Sequence, residues 1–143
     1  MRAKIAKLLV LTATFILPNS CGEDEPEIVP DVPVHIEFNL NEPFYNAITV
    51  PMGAVKITNV GYNNNGIIVF RLNQEEILAF DATCPQHIAV NASVALDENG
   101  SGTATCPYCH TVYYFYNNGY PAKGYKLKSY RVSFRGDLVG IYN

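Results

Sequence analysis

Apolar residues recur at every second position through Ile36, Phe38 and Leu40, the period of a strand with one buried face. Further β-prone runs follow near 48–57, at 67–72, at 77–80, at 112–116, and in a closing pair at 130–134 and 138–142 that reads as a hairpin. Between them stand turn signals: Asn63-Asn64-Asn65-Gly66, Glu98-Asn99-Gly100, Asn117-Asn118-Gly119 and Arg135-Gly136-Asp137. No long stretch has the 3.6-residue period of a helix. This spacing predicts an all-β sandwich or small barrel.

The first twenty residues follow a different pattern. Arg2, Lys4 and Lys7 precede an apolar run from Leu8 to Leu17 and a polar exit at Pro18-Asn19-Ser20, the layout of a secretory signal. A run of that length falls well short of the roughly 20 residues that a spanning helix needs. Ser20-Cys21-Gly22 resembles a bacterial lipobox, with Pro18 at the usual Leu position, and Glu23-Asp24-Glu25 resembles the export signal of Bacteroidetes-type surface lipoproteins. That resemblance implies lipidation of Cys21 and a place on the outer membrane or cell surface, anchored to the bilayer without crossing it.

Composition sets the scale of the rest. Residues 21–33 hold five acids, three prolines and no Lys or Arg, which reads as a tether, and residues 34–143 are the size of one ordinary domain. Hydrophobic residues make up 48% of the chain, with ten Tyr and seven Phe, enough for a core without disulfides. Three of the ten basic residues and none of the 13 acidic ones lie in the first twenty, so the remainder carries a formal charge of −6 and nucleic acid is a poor partner. Five of the remaining basic residues, Lys123, Lys126, Lys128, Arg131 and Arg135, cluster near the C-terminus, as a solvated strand face or a patch for an acidic partner. His35, in the first strand, reads as a surface or edge histidine.

Chemistry concentrates in two loops, 81–88 and 105–111. The first carries Cys84-Pro85-Gln86-His87, and 22 residues after Cys84 comes Cys106-Pro107-Tyr108-Cys109-His110-Thr111. A Cys-Pro start fixes the backbone while the next residues turn, so that two side chains can face one centre. The spacing C-x-x-H, then eighteen residues, then C-x-x-C, resembles a four-ligand zinc-ribbon site.

The same segment resembles the Rieske family over about 54–143. There a C-x-H loop and a C-P-x-H-G-[ST] loop hold a [2Fe–2S] cluster, with two Cys on one iron and two His on the other. Thr111 and Tyr113 sit where that family has a Ser/Thr and an aromatic. Gly119-Tyr120-Pro121, Gly124, Leu127, Tyr130 and Val132 follow its G-x-P, G-P and L-x-x-Y-x-V ending. Three positions depart from it. Cys109 occupies the second-loop His position, with His110 in place of the following Gly. The first loop is one residue longer, so either His87 reaches in from further along or Gln86 takes the place. Tyr125 replaces the shielding proline.

The resemblance implies a Rieske-like small β-sandwich or barrel with a two-loop metal-binding subdomain of rubredoxin or zinc-ribbon type. It implies a [2Fe–2S] cluster on Cys84, His87, Cys106 and Cys109, with His110 as the alternative fourth ligand, and one-electron transfer to a redox partner. A lone module of this kind has no catalytic domain, so an electron carrier is expected rather than an enzyme. Two alternatives from the same residues are structural zinc and a metal-free scaffold that serves as a binding module.

Overall fold

The computed structural model describes residues 28–98 and 101–143. The expected signal, Cys21 and most of the tether lie outside the described residues, as do Asn99 and Gly100 of one expected turn. Among the described residues no helix is long and apolar enough to cross a membrane.

The chain folds as the all-β class expected from its alternation. The strands are β1 (His35–Asn39), β2 (Ala54–Ile57), β3 (Ile67–Arg71), β4 (Ile77–Asp81), β5 (Ala95–Leu96), β6 (Thr103–Thr105), β7 (Val112–Tyr114), β8 (Tyr120–Pro121), β9 (Ser129–Arg135) and β10 (Leu138–Tyr142). They form two antiparallel sheets, a six-stranded one in the order β1-β10-β9-β4-β3-β2 and a four-stranded one in the order β5-β6-β7-β8. The closing pair is the expected hairpin: Arg135 faces Leu138 across Gly136-Asp137, and Gly136 takes the positive φ of 61° that the tight turn requires. His35 is exposed on β1, an edge strand of its sheet.

Strand β3 explains how the two sheets meet. Its run Ile67-Ile68-Val69-Phe70 is apolar at every position because both faces are buried. Ile67 and Val69 point into a core with Phe38, Ile77, Tyr130, Val139 and Ile141, contributed by strands across the large sheet, which therefore curls around it. Ile68 and Phe70 point the other way, into a second core with Phe80, Val94, Ala104, Tyr113, Phe115 and Leu127 between the sheets. Cys84 and Cys106 belong to this second core.

Three expectations shift at element boundaries. The run near 48–57 is not one strand: Pro43–Thr49 forms a 3-10 turn opened by Pro43, from which Ile48 is buried, and the strand starts at Ala54. The run at 112–116 stops as a strand at Tyr114, where Phe115–Asn117 turns, and Asn118 then takes φ 56°. Residues 28–33, expected as the end of the tether, lie against the domain. Val29 is 1% exposed, Lys128 donates to Asp31 at 2.6 Å, and the Asn143 amide donates to Val32 O at 2.6 Å. The basic cluster is correspondingly dispersed, with Lys128 buried on Asp31, Lys126 over the Tyr120 ring and Arg131 over the Tyr142 ring.

Candidate metal centre

The first loop leaves β4 through four fully buried residues, Asp81, Ala82, Thr83 and Cys84. Asp81 fixes its course. One carboxylate oxygen accepts the Thr83 N–H at 2.8 Å, and the other accepts the Tyr62 N–H at 2.7 Å and the Tyr130 hydroxyl at 2.6 Å. Past Cys84, Pro85 opens a 3-10 turn, Pro85–Val90, that breaks at His87, whose φ of −141° and ψ of 53° leave helical space. Asn91 closes the turn in left-handed conformation, and its side-chain oxygen accepts from Asn65 at 2.7 Å and Asn63 at 3.1 Å.

The second loop joins β6 to β7. The Cys106 N–H donates to Thr111 O at 3.0 Å, and the His110 N–H donates to Cys106 O at 2.9 Å, closing a tight knuckle. His110 sits at φ 58°, left-handed backbone that suits glycine, which is the residue the resembled family has there. Its side chain is exposed.

The two loops bring Cys84, His87 and Cys109 together, with one potential ligand atom from each within 4.8 Å of the others. The Cys84 and Cys109 sulfurs are 3.7 Å apart. Cys106 is fully buried and influences the ionisation of both cysteines, but it is not in that group. His110 is not in the group, and Gln86 turns elsewhere: its Nε2 donates to Tyr125 O at 2.9 Å. The kink at His87 is what turns the imidazole, rather than Gln86, toward the thiols. Tyr113, at the aromatic position of the resembled family, places its hydroxyl 3.2 Å from Cys84 Sγ. Asp81, which braces the loop, is the contributor that sequence reasoning missed. The only available signal for Asp81 was an acid at the end of an otherwise apolar strand.

The surroundings treat the thiols differently. Burial pushes the Cys84 thiol up to about 12, against the hydrogen bond from Tyr113. Burial also opposes ionisation of Cys109, but the hydroxyl and backbone of Thr111, with the Cys106 and Cys84 thiols, outweigh it and bring Cys109 down to about 6. The Tyr113 phenol is pushed well above its ordinary range by burial and by the neighbouring Cys84. His87 stacks edge-on against Tyr108, with ring centroids 5.0 Å apart, and its Nδ1 is buried with no hydrogen-bond partner among the described residues. A buried polar nitrogen left unbonded costs about 1–3 kcal/mol, which ligation to a metal would offset. The Cys84 and Cys109 thiols and the His87 imidazole, with Cys106 buried nearby, are donor types that fit either iron–sulfur or zinc chemistry.

No family model matches the chain, and no curated protein matches it either. Among solved structures, the chain is similar to the ferredoxin of carbazole 1,9a-dioxygenase from Nocardioides aromaticivorans IC177, at 14% identity over 78% of this chain and 98% of that one, with a TM-score of 0.48. It is also similar to a protein described as the small subunit of an NADH-dependent nitrite reductase from Mycobacterium tuberculosis, at 14% identity over 79% of this chain and 97% of that one, with a TM-score of 0.45.

Proposed function

We propose that the chain is an exported, lipid-anchored, Rieske-like electron carrier that holds a [2Fe–2S] cluster on Cys84, His87, Cys106 and Cys109. The observation that carries this reading is the convergence of two thiols and an imidazole within 4.8 Å, from two loops, together with a buried Nδ1 on that imidazole that has no hydrogen-bond partner among the described residues. When bound, such a cluster supplies reversible one-electron transfer. The protein supplies the rest. The hydroxyls of Tyr113 and Thr111 lie 3.2 Å from Cys84 Sγ and 3.1 Å from Cys109 Sγ, within reach to donate to each sulfur once metal binding makes it a thiolate. A third thiolate in place of a neutral imidazole adds negative charge, which lowers the potential below that of a two-His, two-Cys site.

One distance favours a second reading. Two thiolates on a single tetrahedral ion, at about 2.3 Å from the metal, lie ~3.8 Å apart. Cys84 and Cys109 are at 3.7 Å, so structural zinc is the rival occupant.

Iron, zinc and acid-labile sulfide, measured per chain on full-length protein purified anaerobically, together with its visible spectrum, separate the readings. About two iron and two sulfide support the cluster. One zinc without sulfide supports the structural ion, and neither metal withdraws both. The anchor is tested separately: Cys21→Ala should release the protein from the outer membrane or cell surface, and continued membrane association would refute lipidation.

A further inference from the structure

Gln86 stands where the resembled family has a ligand, yet its side chain serves a different element. The turn between β8 and β9 contains Gly124 and Tyr125, and the Gln86 Nε2 donates to Tyr125 O at 2.9 Å. Gly124 has φ 106°, and a Cβ there would come within 3.0 Å of the Gln86 Nε2, Oε1 and Cδ. The amide therefore fills the space that the missing Cβ leaves. The Gln86 side chain also lies near enough to the Tyr113 phenol to favour its ionised form. That phenol contacts Cys84 Sγ.

We propose that Gln86 is a positioning residue, a latch that fastens the Gly124-Tyr125 turn against the first loop and thereby limits access to Cys84 and whatever metal it binds. The latch compensates for the missing proline, since at position 125 the backbone carbonyl, not the side chain, makes the contact. The gating half rests on the metal-site reading above; the latch itself does not.

The test uses the full-length protein and two readouts. Gln86→Glu keeps the size of the side chain but removes the donor, and Gly124→Ala displaces the amide. Tyr125→Phe retains the carbonyl and serves as the control. Limited trypsin digestion reports the turn directly, because Lys123 and Lys126 flank it. Metal loss to a chelator reports access.

Both variants should be cleaved after Lys123 and Lys126 on the order of fivefold faster than wild type, the ratio one ordinary net hydrogen bond is worth. Both should release metal faster by a similar factor, with Tyr125→Phe unchanged. Unchanged trypsin cleavage in Gln86→Glu would overturn the latch. Faster cleavage with unchanged metal release would overturn its control of access. If wild-type protein holds no metal, the metal-centre reading fails, and the trypsin result alone supports or overturns the latch.

Discussion

At the scale of single residues, the two cysteines 3.7 Å apart face opposite environments. Cys109 is partly exposed and its ionised form is stabilised by Thr111, whereas Cys84 is fully buried with its thiol held protonated. Thiolate is the reactive form. In metal-free, reduced protein, iodoacetamide should therefore label Cys109 first. The rate should be flat above about pH 7 and fall as pH drops through about 6, where the Cys109 thiolate is protonated. Peptide mapping by mass spectrometry checks the order, and labelling of Cys84 before Cys109 would contradict it. Tyr113→Phe tests the other sulfur. A hydrogen bond to a ligand sulfur favours the reduced, more negative state, so its loss should lower the potential of a bound cluster by about 40 mV, the equivalent of one net hydrogen bond. A redox titration that retains the visible bands reads this. The sequence made Cys84, Cys106 and Cys109 legible because cysteines in Cys-Pro knuckles are conspicuous. It left Gln86 and His87 undecided because that choice depends on one backbone kink, at His87, that no pattern of residue types encodes.

Among elements, β4 and the loop it feeds depend on a single carboxylate. Asp81 is fully buried and accepts from two backbone N–H groups and one hydroxyl, joining the loop to the turn at Tyr62 and to β9 at Tyr130. Asp81→Ala leaves those donors without their acceptor and should destabilise the fold by about 3 kcal/mol or more, with Asp81→Asn costing less because one acceptor oxygen remains. Urea unfolding followed by circular dichroism measures it, and a loss under about 1 kcal/mol would show that the donors find other partners. Strands such as β3 and the β9–β10 hairpin were readable because burial on both faces, or a Gly-Asp turn between alternating runs, writes itself into residue order. The break between Pro43–Thr49 and β2 was not, since Ile48 is as apolar as a strand residue and is buried from a turn instead.

For the molecule as a whole, the N-terminal segment decides how far the domain would stand from a lipid attached at Cys21. If Cys21 carries lipid, a tether running to position 34 spans up to about 45 Å, whereas docking from residue 28 onward leaves about 25 Å. The docked segment is held by the burial of Val29, by Asn143, whose amide donates to Val32 O and accepts from the Val34 N–H at 3.1 Å, and by Lys128 on Asp31. Lys128 is 2% exposed while its partner carboxylate is 75% exposed, and the lysine holds that carboxyl below its usual value, through the hydrogen bond first and its charge second. The balance is therefore sensitive to the sign of charge at position 31. Asp31→Lys sets a second ammonium group against the buried one of Lys128 and should detach the segment, exposing Val29, whose burial alone is worth roughly 1.5–2 kcal/mol. The thermal midpoint should drop by several degrees, and protease sensitivity should appear within 28–34. Because Asp31 is ionised above its lowered pKa, the wild-type clasp persists at neutral pH and weakens only in strong acid. An unchanged midpoint together with an unchanged digestion pattern in Asp31→Lys would mean that Val29 and Asn143 hold the segment without the ion pair.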